Sequence, residues 1–397
     1  MVLILSNEEV KEALDPKGYV DAMEEAFTEL GANAAVNCPR TETCIPLTKF
    51  GTSRRVKSEA RALLRQLPED ADPHYSPPVI RAAKKSEELI YRLKTMPGGY
   101  PKCGVMALRI DSTTDTQPHV NGVKRLVKVP LGPGWNYTGI VILFSIKTGE
   151  VLALFPDGQI QGMRVGATSA VGVKYLSRRE ATKVGLIGTG WQAGCLLATV
   201  SQVRSLKRVQ VFSPDWKRRR EFASNLEKQI GFEVVAVDHV RDAFKGVDMV
   251  LCATSSRAPV FEAKWLKDGM HLGTINVCEG DPRAFRRCDS VVVNVRPFGG
   301  SSLIHQFVMG GTKADTVGKE VNRKALNFDW DRTTELGELL AAKRKWRRRP
   351  SDVTYHFNNI GLGIQFAAAG ARILNNARAK GLGREVPVEW FVQKEHP

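Results

Sequence analysis

One decapeptide constrains this chain more than any other feature. Val184 to Ala193 reads VGLIGTGWQA and sets Gly188, Gly190 and Ala193 in GxGxxA spacing. Such spacing is weak alone, because glycines punctuate many turns. Here the apolar run Lys183–Ile187 precedes it, a helix-forming stretch follows, and a second strand-like run, Arg208–Phe212, comes next. That context marks a dinucleotide-binding turn. Gly188 permits the tight bend, Gly190 lets backbone approach a pyrophosphate, and Ala193 lets helix and strand pack closely. The pyrophosphate sits on the positive end of the helix. Thr189, Trp191 and Gln192 complete the loop, and Ala253, Thr254 and Ser255 end the fourth strand beside it.

The pattern around the turn extends the reading. Strand-like runs at Glu233–Val237, Asp248–Ala253, Met270–Ile275 and Ser290–Asn294 alternate with helical stretches. This is the signature of an α/β, doubly wound parallel sheet, the Rossmann arrangement. Upstream, residues 103–110, 138–145 and 151–155 read as strands, and Arg164–Leu176 as a close-packing helix. Residues 52–95 are polar and basic around PEDADPHYSPP, and are expected to form an insertion with its own helices around a mobile stretch. The C-terminal region returns to helix at Leu362–Ala379.

The end of the second strand bears on the nucleotide. An NAD site places an acid there for the ribose hydroxyls. This chain has Ser213, with Lys217 and Arg218 in the next turn. Those groups suit a 2′-phosphate through charge-assisted bonds, which favours NADP over NAD. Asp215 keeps NAD as the alternative.

Composition excludes other classes. The 397 residues are 43% hydrophobic and 25% charged, the balance of a globular protein of two to three domains. Seven cysteines, an odd number with no CxxC pair, argue against a disulfide framework or a metal knuckle. No apolar run approaches the roughly 20 residues that span a bilayer. Met1–Leu5 is too short for a signal-peptide core, so a cytoplasmic protein is expected. The net charge of +16 is clumped in KRKWRRR (343–349), KRRR (217–220) and the stretch 54–65. Without a recognisable nucleic-acid module, these clumps read as solvated faces, one of them in the nucleotide site.

The ordered motifs resemble the ornithine cyclodeaminase and mu-crystallin family. They are Pro39-Arg40-Thr41, Met96-Pro97-Gly98, Ala107-Leu108-Arg109, Thr148–Ala153, Met163–Ala167, GTGWQA, Cys252–Ser255, Asp268–Leu272, Glu335–Glu338 and Asn358–Gly363. The resemblance implies a Rossmann domain (166–324) inserted in an α+β substrate and dimerisation domain (1–165 with 325–397), acting as a homodimer. It implies hydride transfer between a nicotinamide and a carbon bearing an amine or imine. Arg40 and Arg164 match the family's carboxylate-binding arginines. Two departures stand out: Arg109 falls at the family's pocket lysine, and Ser256 at the cyclodeaminase aspartate. Arginine stays protonated and shuttles no proton, and serine does not replace a carboxylate base. Val165 also replaces a threonine.

The expected function is therefore an NAD(P)-dependent oxidoreductase on the C–N bond of an amino or imino acid. Ketimine reductases and amino-acid or opine-type dehydrogenases belong to this class. The alternatives are a cyclodeaminase that recycles its nicotinamide, and a crystallin-like protein that holds NADPH without turnover. Arg109, Asp111 and Ser256 are the catalytic candidates, with His119, Lys124, Glu279 and Asp281 as further acids or bases. Arg40, Arg109 and Arg164 together suit an acidic, dicarboxylic substrate.

Overall fold

The computed structural model describes residues 1–38, 40–48, 53–72, 75–276, 278–296, 304–309, 313–318, 329–342 and 346–395; for 304–309 and 313–318 it gives backbone only. Pro39, the 73–74 pair of PEDADPHYSPP and 343–345 of the basic run lie outside the described residues. No helix among the described residues is long and apolar enough to cross a membrane.

Two large sheets organise the chain. The first is an eight-stranded parallel sheet. Lys183–Ile187 pairs with Arg208–Phe212 on one side and Met249–Cys252 on the other. Strand order thus reverses at the glycine turn, and in open α/β sheets ligands bind at such a switch point. Its strands are apolar runs such as Met249–Cys252, buried throughout, as a sheet covered on both faces requires. The sheet also takes in Thr333–Glu335 and Thr354–Phe357, both beyond residue 324.

The second sheet has eleven strands and is mainly antiparallel. Its centre is the long pair Ile90–Tyr100 and Val105–Thr116, flanked by Thr41–Pro46 and Thr138–Ser145. Helix Gly363–Lys380 packs on it with a buried apolar face, and helix Pro16–Gly31 packs on that helix in turn. Helix Gly158–Leu176 joins the two halves, touching Pro16–Gly31 and the nucleotide helix Trp191–Val200. A Rossmann sheet inserted in an α+β second half is the architecture expected from the sequence.

The details depart in three places. The strand expected at 103–110 runs on from Val105 to Thr116. The helix expected from Arg164 begins at Gly158. Residues 90–95, expected within the insertion, open a central strand instead. Their polarity hid them: Arg92 and Lys94 face inward and are neutralised by Asp115 and Asp111.

The insertion forms helices Arg54–Gln66 and Pro77–Lys84. Leu64, Leu67, Val79, Ile80 and Leu89 pack there with Val120, Val127 and Val129 into a third, separate core. This satellite core stands on few apolar side chains, so each matters. Leu64→Ala is expected to destabilise it by about 2–5 kcal/mol. Hydrogen exchange should then accelerate over 54–84 and 119–129 while the parallel strands at 183–293 keep their protection.

Candidate active site

The glycine turn is built by close approach. Gly188 has φ +114°, and a side chain there would meet the Ala253 carbonyl at 2.2 Å. Only glycine fits a positive φ against backbone at that distance. The Gly188 N–H donates to Phe212 O at 2.9 Å, and the Ala253 N–H to Ile187 O at 2.8 Å. These bonds lock the turn to both neighbouring strands. Gly190 is the N-cap of Trp191–Val200 and, having no side chain, makes no side-chain capping bond. Space in front of Gly190 is open, and the Gln192 Oε1 is buried without a partner. An open helix N-terminus fits a pyrophosphate, and the Gln192 Oε1, an acceptor, suits a donor such as a ribose hydroxyl.

A cavity of about 910 Å³ lies between this turn and the polar face of the large sheet. Gly188, Thr189, Gly190, Trp191, Gln192, Ser213, Arg218, Ala253, Thr254, Ser255 and Ser256 line it from the nucleotide side. Arg109, Asp111, Asp157 and Gln161 face them. Of the expected nucleotide residues, Ala193 is buried in the helix–strand contact and Lys217 is exposed. Neither is on the wall. Asp215, the acid that kept NAD open, caps helix Trp216–Ile230 by accepting from the Arg218 N–H at 3.1 Å. Arg219 turns inward to Asp238 and the Ser213 carbonyl. The KRRR cluster is thus divided among cavity, core and surface.

The opposite wall is a charged sheet face. Antiparallel register sets Asp111 opposite Lys94 and Arg109 opposite Met96. Three cations converge on the Asp111 Oδ2: Arg109 at 3.2 Å, Lys94 at 3.3 Å and Lys128 at 3.4 Å. Burial alone would raise the Asp111 pKa. Lys128, Arg109 and Lys94 more than reverse that and hold it well below the usual carboxylate range. Asp111 is therefore ionised at neutral pH. Lys94 is pushed down to about 8 by burial and by Lys128.

Arg109 is held twice more. Its Nε donates to Asp157 Oδ2 at 2.7 Å, and its Nη2 lies 2.6 Å from the same oxygen. Asp157 precedes helix Gly158–Leu176 but caps nothing with its side chain. Gly139 makes room for it, since a side chain at 139 would meet Asp157 Oδ1 at 2.0 Å. Arg40 pairs with Glu42 at 3.0 Å. Arg164 differs from both. Its Nη atoms donate to Gln365 and Gln161, its Nε has no partner, and no carboxylate pairs with it among the described residues. Burial, reinforced by Arg109 and Arg40, pushes it down to about 9. Arg40 and Arg164 sit beside Arg109 and behind the cavity wall rather than on it.

The remaining candidates separate clearly. His119 and Lys124 are exposed and off the wall. Asp281 caps helix Pro282–Arg287 and accepts from the Ala263 N–H. Glu279 is fully buried and accepts N–H bonds from Thr254, Ile275 and Asn276. It ties together the loops after two parallel strands; burial pushes it up to about 7 in spite of those donors. Ser256 donates to the Ala258 carbonyl and accepts from the Ala258 N–H, closing a small turn. Sequence reasoning missed Lys94, Asp157, Gln161, Arg125 and Lys128. The period-two spacing of Arg92, Lys94 and Met96 was the available signal for Lys94.

Known proteins match this arrangement along the chain. The family model of the ornithine cyclodeaminase/mu-crystallin family matches residues 135–381. A Delta(1)-pyrroline-2-carboxylate reductase of Bacillus cereus is 25% identical over 62% of this chain and 74% of its own length. The iminosuccinate reductase of Paracoccus denitrificans is 25% identical over 79% of this chain and 89% of its own. The solved structure of Thermococcus litoralis Delta(1)-pyrroline-2-carboxylate reductase, in complex with NADH and L-proline, superposes with a TM-score of 0.70. It covers 97% of this chain and 100% of that one at 22% identity. The chain belongs to the ornithine cyclodeaminase/mu-crystallin family.

Proposed function

We propose that this chain is an NAD(P)-dependent oxidoreductase acting on the C–N bond of a small amino or imino acid. The observation that carries this reading is a buried, uncompensated Arg164 beside a cavity that joins a dinucleotide turn to a charged wall. The nicotinamide, when bound, supplies the hydride. Carbon of the imine takes that hydride and nitrogen takes a proton, giving the amine. Arg164, behind the wall, supplies the positive charge that draws the substrate carboxylate to the Gln161 face of the cavity. Gln161, bonded to it on the wall, fixes its orientation.

The proton has a source on the large sheet. Asp111 faces the cavity but is held ionised, so it is an electrostatic partner for an iminium rather than an acid or a proton relay. Lys94, in contact with Asp111 and pushed down to about 8, carries a transferable proton at neutral pH. Arg109, doubly paired, fixes Asp111 and Asp157 in place. Ser256 is engaged in its own turn, so the cyclodeaminase position offers no base. That favours net reduction or oxidation over cyclisation with ammonia loss. Turnover machinery of this kind also argues against a role limited to holding NADPH.

NADP is the favoured nucleotide. Ser213 and Arg218 line the cavity beyond the second strand, and the nearby Asp215 is occupied as a helix cap. The domain reading is a nucleotide domain from residue 166 onward, set in a substrate and dimerisation domain built from both chain ends. A homodimer in the cytoplasm suits this arrangement and the free thiols of its cysteines. The acidic substrate expected from Arg40, Arg109 and Arg164 needs a different second cation, because Arg40 and Arg109 are already paired.

Three outcomes are expected. Purified protein given NADPH, keto acids and ammonia should lose absorbance at 340 nm. Arg164→Met should lower kcat/KM about a hundredfold without changing the NADPH dissociation constant. Arg218→Ala should weaken NADPH about tenfold while leaving NADH nearly unaffected, since only one carries the extra phosphate. A further outcome concerns pH. Lys94 is protonated below its pKa and donates only in that form, so reductive kcat/KM should fall as pH rises through about 8. Lys94→Met should lower the rate about a hundredfold and remove that limb of the profile.

A further inference from the structure

Among the described residues, the cavity wall carries four cations: Arg109, Arg125, Lys128 and Arg218. Arg109 and Lys128 meet Asp111, and Arg218 lies at the adenosine side, past the second strand. Arg125 forms no ion pair among the described residues, and its Nε is buried without a partner. No charged neighbour offsets its burial, which lowers its pKa from the ordinary guanidinium value.

Its position is fixed by backbone. Arg125 forms an isolated antiparallel bridge with Ser256, and its N–H donates to the Pro118 carbonyl at 3.0 Å. Val120 on one side and Val127 on the other anchor the segment in the satellite core. Ser256 follows Met249–Cys252, on the opposite side of the glycine turn from Ser213. In a doubly wound sheet that is the nicotinamide half of the cleft. An uncompensated guanidinium held there by a rigid segment is built to meet an anion.

We infer that Arg125 is a specificity residue that grips a second anionic group of the substrate, distal to the carboxylate assigned to Arg164, so that the preferred substrate is a dicarboxylic amino or imino acid. This rests on the reading that the cavity takes an imino acid beside a nicotinamide. A half-buried cation facing an apolar substrate end would stay unpaired, at a cost; facing a carboxylate it forms a charge-assisted pair. The insertion thereby contributes to substrate choice, because its core holds the segment that carries Arg125.

The test uses the whole protein saturated with NADPH, and two unreactive four-carbon probes. Succinate carries two carboxylates and butyrate one. Isothermal titration should give wild-type protein at least a tenfold tighter dissociation constant for succinate. Arg125→Ala and Arg125→Gln should each shrink that preference at least fivefold, and Arg125→Lys should retain more of it. Unchanged melting temperatures for any two variants secure the reading against misfolding. The inference is overturned if wild-type protein binds both probes alike, or if the variants keep the preference. A loss of NADPH affinity in the variants also overturns it, by assigning Arg125 to the nucleotide. A fluorescence titration with NADPH and NADH comes first: if wild-type protein binds neither, the oxidoreductase reading itself falls, and that outcome is read before any acid is added.

Discussion

Everything at the site depends on how closely one helix lies against another. Helix Gly158–Leu176 meets helix Trp191–Val200 through Gly162 and Gly166. A side chain at 162 would stand 2.6 Å from the Trp191 ring, and one at 166 would stand 2.5 Å from the Cys195 carbonyl. Interiors packed at this density transmit position faithfully. The same helix begins at Asp157, which grips Arg109 on the large sheet. One rigid element thus sets the distance between the dinucleotide turn and the charged wall. The cavity between them is a consequence of that spacing.

The charged wall is stable because its charges are arranged rather than merely present. A lone buried carboxylate or ammonium is costly, and pairing recovers the cost only when geometry is good. Asp111, with three cations on one oxygen, is the hub. A second group joins Arg92 to Asp115 and Glu42, and Glu42 to Arg40. Against this compensated background Arg164 and Arg125, which pair with no carboxylate among the described residues, mark where an anion lowers the energy of the site. Basic residues elsewhere serve the fold. Arg204 and Arg347 donate to the carbonyls that end helix Gly158–Leu176, which accounts for part of the excess positive charge without a polyanion.

The nucleotide half was legible because its physics is local. Strands such as Lys183–Ile187 and Arg208–Phe212 are short apolar runs between turn signals, and both fall where the sequence places them. The glycine turn carries its own reason at Gly188. The substrate wall was less legible because its physics is pairwise across the sheet. Arg92 and Lys94 read as surface charges until Asp115 and Asp111 are found opposite them. Asp157 falls outside the helix expected from Arg164, and its partner Arg109 is 48 residues away. Arg125 comes from a loop and Lys128 from the short strand Val127–Val129 that follows it, and only the satellite core shows why this segment comes to the cavity. Arg109 was found through the family resemblance and Asp111 from its spacing to Arg109, but their mutual pairing, which decides what each can do, was not.

The contact between Gly139 and Asp157 carries an evolutionary consequence. Any larger residue at 139 would displace the Asp157 carboxylate, and without it Arg109 would be left a buried cation with Asp111 alone. Positions 109, 139 and 157 therefore behave as a single heritable unit, and a lineage that restores a lysine at 109 is released from keeping glycine at 139. Covariation among these three columns would separate relatives with this wall from relatives with another, and sort the family by wall chemistry before any substrate is known.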